Sequence, residues 1–167
     1  DPVFTAGDQI AEVLVRHQGL DRGGAMKKAE ELLDLVQMPA ARRRLQAFPH
    51  ELSGGMRQRI MTTIALACSP ELLLADEPTT SLDVTVQAQI LFLIREIQQR
   101  LGLAVIFVTH DLGVVAEVAD EVAVMYAGRI VEYGGVREVL KSPKHPYTEA
   151  LIKATVRLAR RLKGTSV

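Results

Sequence analysis

The sequence predicts an α/β fold in which an N-terminal helical segment precedes part of a parallel β-sheet. Two short, continuous apolar runs, 72–75 and 103–108, are typical of strands buried on both faces of such a sheet. Between them, residues 84–101 carry apolar side chains at helical spacing, and Gly102 follows as a stop signal. Strand, helix and strand in this order predict a right-handed crossover between parallel strands.

Helical periodicity dominates the residues before the first predicted strand. Apolar side chains recur three or four positions apart within 10–17, 24–36 and 55–67, which predicts three amphipathic helices. The segment 39–49 contains two prolines and three consecutive arginines, so we expect a connection there and no packed element.

The second half of the chain predicts a hairpin followed by two helices. Strands are expected at 121–126 and 129–132, joined by the short turn Ala127-Gly128. The last two predicted helices cover 136–141 and 147–162.

Composition argues against several classes of protein. Twenty Lys and Arg balance twenty Asp and Glu among the 167 residues, so no overall field attracts nucleic acid or anionic lipid. The longest apolar run is far shorter than the roughly 18 residues of a membrane-spanning helix. Cys68, the only cysteine, lies among apolar helix positions and is predicted to be a small buried hydrophobe.

Polar side chains follow both predicted parallel strands. Asp76 and Glu77 come directly after the first strand, and His110 follows the second. Ligands of open parallel sheets bind beyond the carboxyl ends of the strands, so these residues are candidates for a shared site. Taken alone, the two acids are equally consistent with a helix cap, and a lone histidine is typical of a hydrogen-bonded structural residue.

Ser53, Gly54 and Gly55 open the third predicted helix. A hydroxyl, exposed backbone N–H groups and the positive end of a helix dipole suit a phosphate, and glycine permits its close approach. A Gly-Gly pair alone is typical of an ordinary turn. Arg57 and Arg59, which follow, are expected to lie on a solvated helix face.

Four segments together carry a family resemblance. Leu-Ser-Gly-Gly at 52–55, followed by Arg-Gln-Arg, resembles the signature motif of ATP-binding cassette (ABC) proteins. Residues 72–77 resemble their Walker B strand, and 78–83 resemble the D-loop that follows it. Residues 143–148 resemble the C-terminal extension of the ATPase subunits of bacterial dipeptide and oligopeptide importers. Within that extension His145 is interpreted as structural, because no second metal ligand lies nearby.

The resemblance implies a fold, a reaction and partners. The chain would be the C-terminal part of a P-loop NTPase core of the ABC type, with a helical subdomain over 1–52 that continues to about 68. Half of the catalytic core would span 69–135, and a helical extension 136–167. The cofactors would be ATP and Mg²⁺, and the partners a second ATPase subunit arranged head to tail and the permease subunits of a peptide importer. No nucleic acid is expected, and the location would be the cytoplasmic face of the bacterial inner membrane.

The same resemblance implies roles for individual residues. Glu77 would be the catalytic base, and His110 would contact the γ-phosphate. Asp76 would hold Mg²⁺, which keeps several waters and takes one or two carboxylates. The signature residues would act on ATP held by the partner subunit, and the D-loop would cross the same interface; the residues concerned are Ser53, Gly54, Gly55, Ser81 and Asp83.

Three features of the family pattern are missing from the sequence, and their absence limits these expectations. The sequence contains no G-x-x-x-x-G-K-[ST] loop, and neither the adenine-stacking aromatic residue nor the Q-loop glutamine is present. We therefore expect a truncated ABC ATPase that hydrolyses ATP negligibly by itself. Two alternatives stay open: an ABC-type ATPase acting on nucleic acid, and a catalytically inactive module that docks on permeases.

Overall fold

A computed structural model describes residues 1–80 and 82–164, with side chains as far as Thr155. The chain divides into two compact units, Asp1–Val108 and Thr109–Val167. The division into 1–52, 69–135 and 136–167 stays a prediction.

The first unit contains the predicted helices and parallel strands. The parallel pairing of the two strands is confirmed, from Leu72 opposite Ala104 to Asp76 opposite Val108. The elements are α1 Ala6–Gln18, α2 Arg22–Leu35, α3 Ala41–Arg44, a 3₁₀ turn Pro49–Glu51, α4 Gly54–Leu66, β1 Leu72–Asp76, α5 Val84–Leu101 and β2 Ala104–Val108.

Short polar side chains start four of these helices. Thr5, Asp21, Ser53 and Asp83 are the N-caps of α1, α2, α4 and α5, and each accepts a hydrogen bond from the backbone N–H three residues later. Gly102 ends α5 in the left-handed conformation at φ 65°, as its position in the sequence predicts.

One hydrophobic core joins the helices to the strands of this unit. Fully buried side chains of α1 and α2, such as Ile10, Leu14 and Leu33, belong to the same cluster as Leu93 and Ile97 of α5. Leu73 of β1 and Leu103 belong to it as well. The helical segment and the β1–α5–β2 crossover therefore share their apolar interior.

The expectation of an unpacked connection at 39–49 is wrong. Ala41 and Leu45 of this segment are buried, and its carbonyl groups accept the first N–H groups of α1. Gly7 N–H donates to the Leu45 carbonyl at 2.8 Å, and Ala6 N–H to that of Ala47 at 2.9 Å. Because helix starts leave N–H groups without intrahelical acceptors, an irregular segment beside α1 can satisfy them and become part of the core.

The expectation that both strands are buried on both faces is also wrong. Exposure alternates along β1, and Leu74 is 69% exposed although Leu73 is 8% exposed. Ile106, which pairs with Leu74, is 50% exposed. An apolar run indicates only that a strand tolerates burial on both faces. The described residues of this unit cover one face of the β1–β2 pair and leave the other exposed.

Cys68 is exposed, so its predicted burial is wrong. The helix α4 ends at Leu66, and Cys68 lies in the turn that follows. The helical periodicity that placed it inside no longer applies there.

The second unit consists of α6 Leu112–Val118, β3 Glu121–Tyr126, β4 Arg129–Gly135, α7 Val136–Lys141 and α8 Pro146–Gly164. The hairpin β3–β4 is antiparallel and turns at Ala127 and Gly128, both with positive φ, as predicted. The strand β4 continues three residues beyond the predicted end at 132.

Glu132 fastens β4 to the start of α8. Its two carboxylate oxygens accept the backbone N–H groups of Lys144 at 2.8 Å and His145 at 3.1 Å. The Lys144 bond, together with the nearby Thr148 hydroxyl, lowers the pKa of the Glu132 carboxyl below its ordinary value. His145 accepts the Tyr147 N–H through Nδ1 at 3.1 Å, which confirms its structural interpretation.

No helix within the described part of the chain is both long and apolar enough to cross a membrane.

Candidate functional site

The two acids lie at the carboxyl end of β1, where the parallel strands predict a ligand site. Asp76 is the last residue of the strand, opposite Val108 of β2, and is exposed. Glu77 follows it, and its N–H donates to the Val108 carbonyl at 2.9 Å. This bond extends the ladder by one residue, so the backbone that carries both carboxylates is fixed to the neighbouring strand.

Glu77 adopts a left-handed backbone conformation with φ 43°. For a residue with a side chain, such a conformation costs about 1–3 kcal/mol and persists only where the surrounding structure holds it. Two bonds of the turn hold it here. Thr80 donates its N–H to the Glu77 carbonyl at 3.1 Å and its hydroxyl to Glu77 Oε2 at 2.9 Å. The second bond orients the carboxylate itself.

The alternative that Asp76 and Glu77 cap a helix is excluded by the position of Asp83. Asp83 is the N-cap of α5, and its Oδ1 accepts the Val86 N–H at 2.9 Å. The signal for this cap was present in the sequence, since an aspartate stands directly before the first apolar residue of a periodic segment. The sequence reasoning assigned Asp83 only to the D-loop and missed its structural role. Ser81, the other predicted D-loop residue, lies outside the described residues.

The signature residues form the first turn of α4. Ser53 is its N-cap, with Oγ 3.4 Å from the Met56 nitrogen, and Gly54 and Gly55 are its first two residues. Ser53 accepts the N–H of Met56, whereas the N–H groups of Gly54 and Gly55 have no acceptors within the helix and can face an anion. This confirms the predicted placement of the three residues, and their contact with a nucleotide stays a prediction.

Both glycines of this turn also pack against the start of α5. A Cβ added at Gly54 would lie 3.0 Å from Leu82 Cδ2, and one added at Gly55 would lie 2.7 Å from Val86 Cγ1. A separation under 3.0 Å is closer than van der Waals contact permits. A residue larger than glycine at position 55 therefore requires the Val86 side chain, or the helix that carries it, to shift.

The two arginines of α4 differ in their surroundings. Arg57 is exposed, as predicted. Arg59 is not on a solvated face: it is partly buried, and its Nη1 donates to the Val36 carbonyl at the end of α2. Burial lowers the pKa of its guanidinium from the ordinary value. Arg59 thus joins α4 to α2, which helical periodicity alone did not indicate.

His110 belongs to the second unit, two residues beyond the end of β2, and is exposed. The residues on either side of His110 make hydrogen bonds with nearby backbone N–H groups. Thr109 Oγ1 accepts the Asp111 N–H at 3.1 Å, and Asp111 caps α6 by accepting the Gly113 N–H at 2.8 Å. The convergence of His110 with Asp76 and Glu77 stays a prediction.

Comparison with known proteins agrees with the motifs at these positions. Residues 3–80 match the family model described as ABC transporter, and residues 131–166 match the one described as the C-terminal region of oligopeptide and dipeptide transporters. Over these residues the chain is similar to ABC transporter proteins.

Individual relatives and one solved structure are also similar to this chain. It is 58% identical over 158 residues to a Brucella melitensis protein named as a peptide import ATP-binding protein, covering 95% of this chain and 47% of the relative. It is 54% identical over 158 residues to the glutathione import ATP-binding protein GsiA of Escherichia coli K12, covering 95% of this chain and 25% of GsiA. The chain thus spans about half the length of one relative and a quarter of the other.

The solved structure is that of the ATP-binding cassette MJ0796, described as dimeric, in a post-hydrolysis state and bound to ADP and Pi. It aligns with a TM-score of 0.69 at 27% identity, over 82% of this chain and 59% of that one. The predicted α/β fold of the ABC type is therefore confirmed, and ATP is the nucleotide that the family binds.

The acids at the end of β1 suit the magnesium that usually accompanies ATP. In the described part of the chain, no three His, Cys, Asp or Glu side chains group closely enough to form a metal cage. Magnesium does not need such a cage, since it takes one or two carboxylates and completes its shell with water and phosphate oxygens. An exposed Asp76 beside the fixed backbone of Glu77 fits that chemistry.

Proposed function

We propose that this chain is the signature-bearing and Walker B-bearing part of an ATP-binding subunit that couples ATP hydrolysis to peptide import. The observation that carries the proposal is the Asp76-Glu77 pair, held at the carboxyl end of the parallel β1–β2 pair by the bond from Glu77 to Val108. The relatives named as peptide and glutathione import proteins support peptides as the cargo.

Each candidate residue has one role in the proposed reaction. Asp76 holds Mg²⁺, whose charge offsets that of the phosphates when it is bound. Glu77, oriented by Thr80, takes the proton of the attacking water. His110 donates to the γ-phosphate. Ser53 and the first-turn N–H groups of α4 bind the phosphates of a nucleotide held by a second subunit, so the site is completed by two chains.

The proposed partners follow from this division of labour. A second ATP-binding subunit, placed head to tail, brings its own phosphate loop to the α4 turn of this one. Permease subunits dock on the pair at the cytoplasmic face of the inner membrane. An ABC ATPase acting on nucleic acid is less well supported, because net charge is zero and the C-terminal match is to peptide transporters.

The test is ATP turnover by the full-length gene product with a matched pair of substitutions. Glu77→Gln keeps the shape of the side chain and removes its basicity, so kcat should fall by about 10²–10⁴. Glu71→Gln makes the same change at an exposed position just before β1 and should leave kcat unchanged. Equal rates for Glu77→Gln and the wild type would refute the assignment.

A second measurement addresses the cargo. Cells lacking the gene should lose uptake of labelled di- and oligopeptides and regain it with the wild-type gene, whereas Glu77→Gln should fail to restore it. Unchanged peptide uptake in the deletion strain would contradict peptide import while leaving the ATPase assignment intact.

A further inference from the structure

The signature turn, formed by Ser53, Gly54 and Gly55 at the start of α4, lies against Leu82 of the D-loop in the same chain. A Cβ at position 55 would lie 2.7 Å from Val86 Cγ1, which leaves no room for a side chain, and one at position 54 would lie 3.0 Å from Leu82 Cδ2, which leaves little. Leu82 is the last residue before the Asp83 cap, and Val86 lies in the first turn of α5. The first turns of two helices, α4 and α5, therefore pack backbone against side chain.

Two features restrict the position of Val86, one acting on its backbone and one on its side chain. Its N–H donates to Asp83 Oδ1 at 2.9 Å, which fixes its backbone to the cap. A valine in a helix has restricted χ1 freedom, so its Cγ1 has few alternative positions away from Gly55. Leu82 is a longer side chain with more rotamers, and it meets Gly54 only through its terminal methyl group. The Gly55–Val86 contact is thus the stiff one of the two.

From this geometry we propose that Val86 is a positioning residue: its contact with Gly55 sets where the phosphate-facing turn of α4 lies. Through the Asp83 cap, the D-loop and the signature turn of the same subunit then move together. The inference rests on the proposed function, because it assigns the turn's position a consequence for ATP turnover.

The contact with Val86 gives a reason for glycine at position 55 that is separate from phosphate binding. If only the approach of a phosphate required glycine, the identity of residue 86 would not matter. If the Val86 contact requires it, then removing the valine methyl groups makes room for the Cβ of alanine. Gly55→Ala and Val86→Ala should therefore compensate each other.

The experiment is a double-mutant cycle on the full-length gene product, with kcat, ATP affinity and thermal unfolding measured for each protein. Gly55→Ala should lower kcat by about tenfold or more, because contacting residues commonly couple to that extent. ATP affinity should change less than about twofold, since the signature turn faces a nucleotide held by the other subunit. The double variant Gly55→Ala/Val86→Ala should recover to within about threefold of Val86→Ala alone.

Val84→Ala is the matched control, since Val84 begins the same helix and is 84% exposed. It should leave kcat unchanged. The proposal is wrong if the fold loss of kcat in the double variant equals the product of the losses in the two single variants. It is also wrong if Val84→Ala lowers kcat as much as Val86→Ala does. Unfolding temperatures that track kcat across the cycle would also overturn it, because the contact would then be merely structural. An inactive wild type would refute the proposed function instead.

Discussion

Leu93→Ala tests whether the helical segment and the β1–α5–β2 crossover unfold as one body. Leu93 is 1% exposed, and it lies in the same core cluster as Ile10, Leu14 and Leu33 of the N-terminal helices. Truncation to alanine removes its buried apolar surface and leaves a cavity that neighbouring helices can only partly close.

The expected loss is about 3 kcal/mol in the free energy of unfolding, within the range of about 2–5 kcal/mol for buried leucines. That is a large part of the total stability of about 5–15 kcal/mol for a domain. In urea, with a slope of about 2 kcal/mol per molar, the midpoint should fall by about 1.5 M. Far-ultraviolet circular dichroism of the 167-residue chain follows the transition.

Phe92→Ala supplies the control at the adjacent position. Phe92 is 68% exposed, so the change should stay within about 0.5 kcal/mol. A loss below about 1 kcal/mol for Leu93→Ala, or a loss equal to that of the control, would refute the shared core. So would a transition in which the N-terminal helices unfold in a separate step that the substitution leaves in place.

Three further predictions concern single polar contacts. Thr80→Ala removes the hydroxyl that orients Glu77 and should lower kcat of the full-length protein by about three- to tenfold, whereas Thr80→Ser keeps the hydroxyl and should not; equal kcat values for the two variants would contradict this role. Glu132 has a lowered pKa, so the stability that its carboxylate contributes is present above its ordinary pKa and is lost as the pH falls through the pKa of the folded state. Glu132→Gln should therefore destabilise the chain at pH 7 and much less at pH 3, as measured by urea unfolding at each pH. A difference in stability that does not depend on pH would count against this role. Asp83→Asn keeps an oxygen that can cap α5 and should preserve the unfolding temperature, whereas Asp83→Ala should cost about 1 kcal/mol; the idea fails if Asn destabilises the chain as much as Ala.

Local signals in the sequence predicted the elements well. The helix α5 is an example, because its apolar spacing fixed its inner face and Gly102 fixed its end. The strands β1 and β2 were placed by their apolar runs, and the hairpin by Ala127-Gly128. Each of these features depends on residues within a few positions of one another, so a short stretch of sequence is enough to predict it.

Long-range contacts could not be predicted in the same way. The bond from Arg59 to the Val36 carbonyl joins residues 23 positions apart, and nothing beside Arg59 in the sequence indicates its partner. The exposure of Leu74 depends on which elements cover the sheet, and an apolar run does not report that. Glu132 was missed for the same reason, since its role appears only once β4 and the start of α8 lie side by side.

The candidate site shows why family motifs and structure must be considered together. Ser53 and Asp83 resemble nucleotide-contacting residues of ABC proteins, and both also cap helices. A substitution such as Asp83→Ala removes both functions at once, so lost activity would not distinguish a contact with ATP from an unwound first turn. Glu77 is different, because it is not the N-cap residue of any described helix, and its bond to Val108 is made by the backbone N–H, which glutamine at this position also supplies. A change of chemistry at constant shape therefore tests catalysis more directly at Glu77 than at Ser53 or Asp83.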